Sequence, residues 1–159
     1  MSDDADRAYV VALRWLARRE LSESQVRTRL SRRQFEGEDI DAAVARLRRE
    51  RAVDDHRTAL ACARTQVRLK QRGRARVLRE IQALGISRAT AGRAIADVFG
   101  ELDEPALLEQ ALEQRLRRGL SLADPAVLRR LHRYLVSQGF GPGDVATLLR
   151  RRAKSGEPL

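Results

Sequence analysis

The spacing of apolar residues along this chain repeats three times. The first set comprises Val26, Leu30, Phe35, Ile40 and Val44. The set that begins 51 residues later comprises Val77, Ile81, Ile86, Ala91 and Ile95, and the set that begins 105 residues later comprises Leu131, Leu135, Phe140, Val145 and Leu149. Spacings of four residues on either side of the turn predict helices with one buried face, and their recurrence predicts a repeat architecture.

A helix end is predicted at the same place in each set. The residue before the central apolar position is Gln34, Gly85 or Gly139. Glycine suits the left-handed position just beyond a helix because it has no Cβ. The next residue, which is Phe35, Ile86 or Phe140, lies five positions before another apolar residue, as in a hydrophobic staple. Each set therefore predicts two helices joined by a tight turn.

A further helix is expected before each pair. The first is predicted from about Asp4 to Arg19, with Val10, Leu13 and Ala17 on its buried face. The next two are predicted from Asp54-Asp55 to about Arg72 and from Asp103-Glu104 to about Leu116, because acidic residues favour helix N-termini. The expected caps are a capping box of Ser22 and Gln25 with a Leu21/Val26 staple, an N-cap at Ser87, and proline-assisted starts at Asp124-Pro125 and Gly141-Pro142.

These elements predict an all-α fold, because no segment has the alternating pattern of a strand. We expect about nine helices in a tandem array of three three-helix units, elongated and slightly curved. The predicted units span residues 1–53, 54–102 and 103–154. Residues 155–159 are expected to form a disordered tail.

Charge narrows the choice of partners. The 159 residues include 32 Lys and Arg against 22 Asp and Glu, for a formal net charge of +10. Such a surplus favours polyanions or acidic protein faces, although a genome-wide bias toward arginine would also produce it. The N-terminus is acidic without an apolar signal region, and no stretch reaches transmembrane length, so we expect a cytoplasmic protein without membrane contact.

Catalytic chemistry is not expected. The two histidines, His56 and His132, lie in helical stretches, and a structural role for the single Cys62 is favoured over a nucleophilic one. Helix capping explains Asp54-Asp55 better than a metal pair does. No phosphate-binding glycine loop is present. We therefore expect a protein that is not an enzyme and has neither cofactor nor metal.

Dense arginine stretches are the candidate binding residues. The first choice is the set Arg68, Lys70, Arg72, Arg74 and Arg76, followed by Arg27, Arg29 and Arg33. Arginines at helix C-termini are explained by the helix dipole, but the density between Arg64 and Arg76 is not. Aromatic residues are scarce, which argues against a dedicated single-strand reader. Trp15 is expected to pack against the next helix or to be partly exposed.

Several segments resemble the RecX family of RecA regulators, from about Ala8 to Arg151. The similar segments are Ala12–Arg19 followed by Leu21–Leu30, Val53-Asp54-Asp55, and Gly73–Ile81 followed by Ala83–Ile86. The sequence departs from the family pattern around the acidic pair, where Ala52-Val53 precede and Thr58-Ala59 follow. Gln34-Phe35 stands where Gly-Phe is usual.

The resemblance implies a tandem three-helix array that binds RecA, especially as a filament on DNA. It implies inhibition of RecA's strand exchange, ATP hydrolysis and coprotease functions, with direct DNA contact left open and a monomer as the default. The alternative is a helix-turn-helix-like DNA-binding protein that acts without RecA. A nuclease would need an acidic metal cluster, which the sequence does not offer.

Overall fold

A computed structural model describes residues 2–156 of the chain, and this described part contains nine α-helices and no strand. The helices are α1 (Asp3–Leu16), α2 (Glu23–Arg32), α3 (Gly37–Arg49), α4 (Asp55–Lys70), α5 (Arg74–Ala83), α6 (Arg88–Phe99), α7 (Glu104–Leu116), α8 (Pro125–Ser137) and α9 (Pro142–Ser155). The predicted all-helical fold is confirmed.

The three predicted turns adopt the expected left-handed conformation. Their φ angles are 66° at Gln34, 78° at Gly85 and 100° at Gly139. In the first and third turns the next residue donates its N–H back into the preceding helix, from Phe35 to the Leu30 carbonyl and from Phe140 to the Leu135 carbonyl, both at 3.3 Å. These bonds satisfy carbonyls that a helix end would otherwise leave unpaired.

The repeated apolar positions form the core. All fifteen are buried except Phe35, which is half-buried against the neighbouring core residues. Because burying a Val, Leu, Ile or Phe side chain contributes about 1.5–3 kcal/mol, these positions contribute substantially to stability, together with buried residues outside the repeat such as Leu47 and Leu112. The predicted periodicity is therefore confirmed at the level of burial.

Side-chain caps begin several helices where they were predicted. At α2, Ser22 accepts the Gln25 N–H at 3.1 Å and Gln25 accepts the Ser22 N–H at 3.0 Å, which completes the capping box. Ser87 accepts the Thr90 N–H before α6, and Asp124 accepts the Ala126 N–H at α8. Each cap is worth about 1 kcal/mol because it satisfies a donor that the helix cannot.

The chain divides into two compact units. The N-terminal unit comprises the residues up to 62 together with 80–94, and the C-terminal unit comprises 63–79 together with the residues from 95 onward. The residues predicted as a second three-helix unit, 54–102, are thus shared between the two compact units. The division into three units at 53/54 and 102/103 stays a prediction.

In the N-terminal unit, α1 packs closely against α3, and α2 packs against both. The buried face of α1 consists of Ala5, Ala8, Tyr9 and Ala12. The predicted face of Val10, Leu13 and Ala17 was wrong: Val10 is 44% exposed, Leu13 is half-buried and Ala17 is exposed. Alanines at a spacing of three and four residues let the two helix backbones approach closely, so the larger Val10 is turned outward.

The N-terminal unit also includes the beginning of α4 and the turn after α5. Buried Ser22 donates its hydroxyl to the Leu84 carbonyl, and Thr58 donates to the Leu21 carbonyl at 3.3 Å. Asp55 accepts the Glu23 N–H at 2.8 Å. The start of α2 is therefore a polar junction on which several segments of this unit converge.

In the C-terminal unit, α7, α8 and α9 pack against one another, and the turn between α4 and α5 lies against the turn between α8 and α9. Gly73 donates its N–H to the Gln138 carbonyl at 2.9 Å, and Ala75 donates to the Gly139 carbonyl at 3.3 Å. Gly73 is buried. The contact is between two backbones, which leaves no room for a side chain.

Several element ends differ from the predictions. Helix α1 ends at Leu16 and α4 at Lys70, each earlier than predicted. Helix α9 continues through Ser155, which was predicted to be disordered, and Gly156 then adopts a left-handed cap with φ 57°. The rest of the predicted tail, residues 157–159, lies outside the described residues. Within residues 2–156, no helix is both long and apolar enough to cross a membrane.

We expect Gly73→Ala to destabilise the protein by about 1–3 kcal/mol, because overpacking moves backbone. A Cβ at this position would lie 2.6 Å from both the carbonyl carbon and the carbonyl oxygen of Gly139. Urea denaturation followed by circular dichroism measures the change. The matched control is Gly92→Ala, on an exposed position of α6 with nothing within 4 Å of the added Cβ. This control should stabilise by about 0.5–1 kcal/mol, so equal effects would contradict the close backbone contact.

Candidate partner-binding surfaces

The first-choice arginines surround the turn between α4 and α5. Gln71, the residue after α4, has φ 45°, and its N–H donates to the Val67 carbonyl at 3.0 Å. Gly73, held against the Gln138-Gly139 backbone, then directs the chain into α5. We call Arg68, Lys70, Arg72, Arg74 and Arg76 the α4–α5 basic set; all of them belong to the C-terminal unit.

The members of the α4–α5 basic set differ in what they contact. Arg74 forms an ion pair with Glu104 at 2.7 Å, and its guanidinium lies 5.1 Å from the centre of the Phe99 ring. Arg72 is half-buried and donates to the Gln66 side chain at 2.7 Å. Arg76 is half-buried, with its backbone nitrogen close to Gly139. These three side chains are partly engaged within the unit.

Arg68 and Lys70 are exposed and form no ion pair within residues 2–156. Between them Leu69 is 75% exposed, the highest value among the large apolar side chains of the described part. An apolar group flanked by uncompensated cations fits a partner surface that carries carboxylates around an apolar contact. The end of α4 is therefore the most available part of this set.

The second-choice arginines lie on α2 in the N-terminal unit. Arg27 is ion-paired with Glu23 at 3.2 Å and with Asp41 at 2.5 Å, and these bonds raise its pKa. Arg29 and Arg33 have no carboxylate within ion-pair distance in the described residues; instead the guanidinium carbon of each lies 5.7 Å from the centre of the Trp15 ring. We call Trp15, Arg29 and Arg33 the Trp15 arginine cluster.

Other arginines are neutralised by carboxylates far away in sequence. Arg48 bonds Glu23 at 2.6 Å, Arg57 bonds Glu20 at 2.7 Å, and Arg46 bonds Asp6 at 3.3 Å. Near the end of the chain, Arg151 pairs with Glu109 and Arg152 with Glu113. Many of the 32 Lys and Arg side chains are thus compensated locally, and the net surplus of +10 is carried by the others.

The residues singled out as possible catalytic or metal-binding groups have structural contacts or lie apart from one another. They contain no group of three His, Cys, Asp or Glu side chains placed to hold a metal ion. His132 is hydrogen-bonded through Nε2 to the Pro142 carbonyl at 3.2 Å. A structural role for Cys62 suggested a fully buried thiol, but the residue is half-buried. Asp54 caps α4 by accepting the Arg57 N–H at 3.0 Å, and this bond lowers its pKa.

Comparisons with known proteins identify the family. The family model described as "RecX, first three-helix domain" matches residues 8–47. A "Regulatory protein RecX" of Syntrophotalea carbinolica is 33% identical over 137 residues, which cover 84% of this chain and 88% of that protein. This chain belongs to the RecX family.

Further comparisons agree with this family assignment. A "Regulatory protein RecX" of Treponema pallidum is 38% identical over 112 residues, covering 70% of this chain and 68% of that protein. The crystal structure of RecX from Lactobacillus salivarius superposes with a TM-score of 0.81 at 17% identity, over 95% of this chain and 97% of that one. The resemblance inferred from the helix caps and the Gly73 turn is confirmed, and the relatives carry the name of regulatory proteins.

Sequence reasoning missed two features of these surfaces in this RecX-family chain. The exposure of Leu69 was not predicted, because an apolar residue in a helix is expected to face a core. Trp15 is half-buried and contacts the next helix, as expected. Its contact with the guanidiniums of Arg29 and of the α2 C-cap Arg33 was not predicted. This contact could not be read from spacing, since Trp15 lies on another helix.

We expect the N-terminal unit to lose stability at acidic pH through Glu23. Burial raises the pKa of Glu23, but hydrogen bonds from Arg48 and Arg27 outweigh it, so the pKa is lowered overall. Because the folded-state pKa lies below the unfolded value of about 4.3, this stabilisation is complete above that value and is lost as pH falls through the folded pKa. The urea concentration at the unfolding midpoint should therefore decrease as the pH is lowered below about 4.3.

Glu23→Gln should be less stable than the parent at neutral pH and should show a flatter acid limb. The control is Glu38→Gln, which removes an exposed carboxylate without an ion pair in the described residues. If the urea midpoints of the parent and of Glu23→Gln decreased equally at acidic pH, the hydrogen bonds of Glu23 would not contribute to stability.

Proposed function

We propose that this protein regulates RecA, mainly as an inhibitor, by binding the RecA filament on DNA. Through that contact it modulates ATP hydrolysis, strand exchange and coprotease activity, acting as a cytoplasmic monomer without enzymatic activity of its own. Membership of the RecX family carries the proposal: relatives that cover most of the chain are named regulatory proteins. The compensated and uncompensated charges described above suggest how the contact is made.

The end of α4 is the proposed contact with the filament protein. An anionic partner can engage Arg68 and Lys70 without displacing an internal carboxylate, whereas Arg74 must first release Glu104. Releasing an exposed ion pair costs little, about 0–1 kcal/mol, so Arg72, Arg74 and Arg76 remain secondary contacts. Leu69 supplies an apolar anchor of the kind that binding interfaces use at their centres.

Charge reversal tests this contact directly. We expect Arg68→Glu/Lys70→Glu to weaken binding to RecA filaments about tenfold or more, because unmatched charges at an interface commonly cost more than the roughly 1.4 kcal/mol that a tenfold change requires. Binding is measured by pelleting RecA filaments that have been assembled on single-stranded DNA with a slowly hydrolysed nucleotide. Circular dichroism checks that the helical content is unchanged.

The matched control is Arg129→Glu/Arg133→Glu on α8, where both arginines are exposed and one turn apart. It changes the net charge by the same amount as the test variant. Equal losses from both variants would mean that overall charge, not the end of α4, drives binding. Full retention of binding by Arg68→Glu/Lys70→Glu would exclude this surface as the contact.

Measuring binding to the same DNA without RecA, beside the filament experiment, tests the alternative of a helix-turn-helix-like DNA-binding protein independent of RecA. Such a protein would bind naked DNA as tightly as it binds the RecA filament. Sequence-dependent binding to duplex with a steep salt dependence would favour this alternative.

A further inference from the structure

Arg29 and Arg33 form an uncompensated pair of cations above one aromatic ring. Arg29 lies in α2 and Arg33, four residues later, is the C-cap of this helix; both guanidinium carbons are 5.7 Å from the Trp15 ring centre. Arg27 on the same helix has two carboxylate partners. The described residues provide no carboxylate for Arg29 or Arg33. What distinguishes this pair is that both guanidiniums lie over the same aromatic ring.

This arrangement has a physical consequence. Like charges four residues apart on a helix repel each other, by about 0.2–0.5 kcal/mol for an isolated helix. Attraction to the same indole ring offsets part of that repulsion. The planar N–H forks of both side chains lack a carboxylate acceptor in the described residues, so a tetrahedral anion beside the ring could accept hydrogen bonds from them.

The surroundings favour a nucleic-acid phosphate over a protein carboxylate as that anion. Residues 14–19 and 28–34 carry further exposed arginines, namely Arg14, Arg18, Arg19 and Arg32. No large apolar side chain among these residues is exposed, and Val10, one turn before Arg14 on α1, is less exposed at 44% than Leu69 at 75%. Protein interfaces usually contain an apolar centre. A surface of arginines without such a centre is typical of contacts to a phosphate backbone.

We propose that Trp15, Arg29 and Arg33 form a subsite for one phosphate of a nucleic-acid backbone. The two guanidiniums clamp the phosphate oxygens, and the indole keeps both side chains oriented while no ligand is bound. This goes beyond the proposed contact with RecA, because it assigns a direct nucleic-acid contact to the N-terminal unit. It does not depend on RecA binding.

The chain's single tryptophan reports on this subsite directly, since Trp15 is the only one. Titration with a short oligo-dT, without RecA, should change the Trp15 emission saturably as the guanidiniums shift from the ring to the phosphate. Arg29→Gln/Arg33→Gln should weaken oligonucleotide binding about tenfold, measured by anisotropy of a labelled oligo-dT. The slope of log K against log salt should become shallower by about 0.7, as expected for one lost phosphate contact on a single strand.

Two controls make the result decisive. Arg129→Gln/Arg133→Gln removes the same charge at the same spacing on α8 and should leave most of the binding intact. Arg29→Lys/Arg33→Lys keeps the charge without the planar fork and should recover only part of the affinity. Circular dichroism identifies any variant that fails to fold, and the parent titration tests the proposal without any substitution.

Three outcomes would overturn the proposal. Binding of oligo-dT with unchanged Trp15 emission would place the nucleic acid elsewhere. If Arg129→Gln/Arg133→Gln weakened oligo-dT binding equally, the loss would be explained by net charge alone. An oligo-glutamate that changes Trp15 emission at the same concentration as oligo-dT would indicate a protein carboxylate as the ligand. Because no arm contains RecA, failure here leaves the proposed regulation of RecA untouched, and the reverse also holds.

Discussion

Three helix pairs in this protein depend on one backbone feature, a residue with positive φ that ends one helix and turns the chain into the next. Gly85 and Gly139 adopt this conformation without steric cost, whereas Gln34 does so against a penalty of about 1–2 kcal/mol. The penalty is outweighed because the turn buries Ile40 and half-buries Phe35 against the same core. Without the turn, the apolar faces of the joined helices could not meet.

The same feature determines where charge is presented. In the C-terminal unit, the left-handed Gly139 exposes its carbonyl to the Ala75 N–H, and the neighbouring Gln138 carbonyl receives the Gly73 N–H. This backbone contact positions the turn after Lys70 and, with it, the exposed end of α4. In the N-terminal unit, Arg33 caps the end of α2 directly before the left-handed Gln34, and Arg33 and Arg29 lie over the Trp15 ring. Contacts between uncharged groups thus determine which cationic side chains are exposed to a partner.

The helical junctions were predictable from the sequence because their signals are local. A cap such as Ser22 with Gln25, or a glycine before Ile86, depends on residues only a few positions apart. The buried face of α1 was predicted wrongly, since alanine carries little hydrophobic signal and its role depends on how closely α3 approaches. The pairing of Arg27 with Asp41 and of Arg74 with Glu104 depends on tertiary contacts. Spacing alone therefore could not separate available arginines from neutralised ones.

The most direct test of the proposed regulation of RecA measures RecA's single-strand-DNA-dependent ATP hydrolysis while this protein is titrated in. Its binding to the same naked DNA is measured in parallel. A filament regulator should inhibit hydrolysis at concentrations well below those that coat the DNA. Hydrolysis that stays unchanged until the DNA is coated would contradict the proposal and indicate a general basic DNA-binding protein.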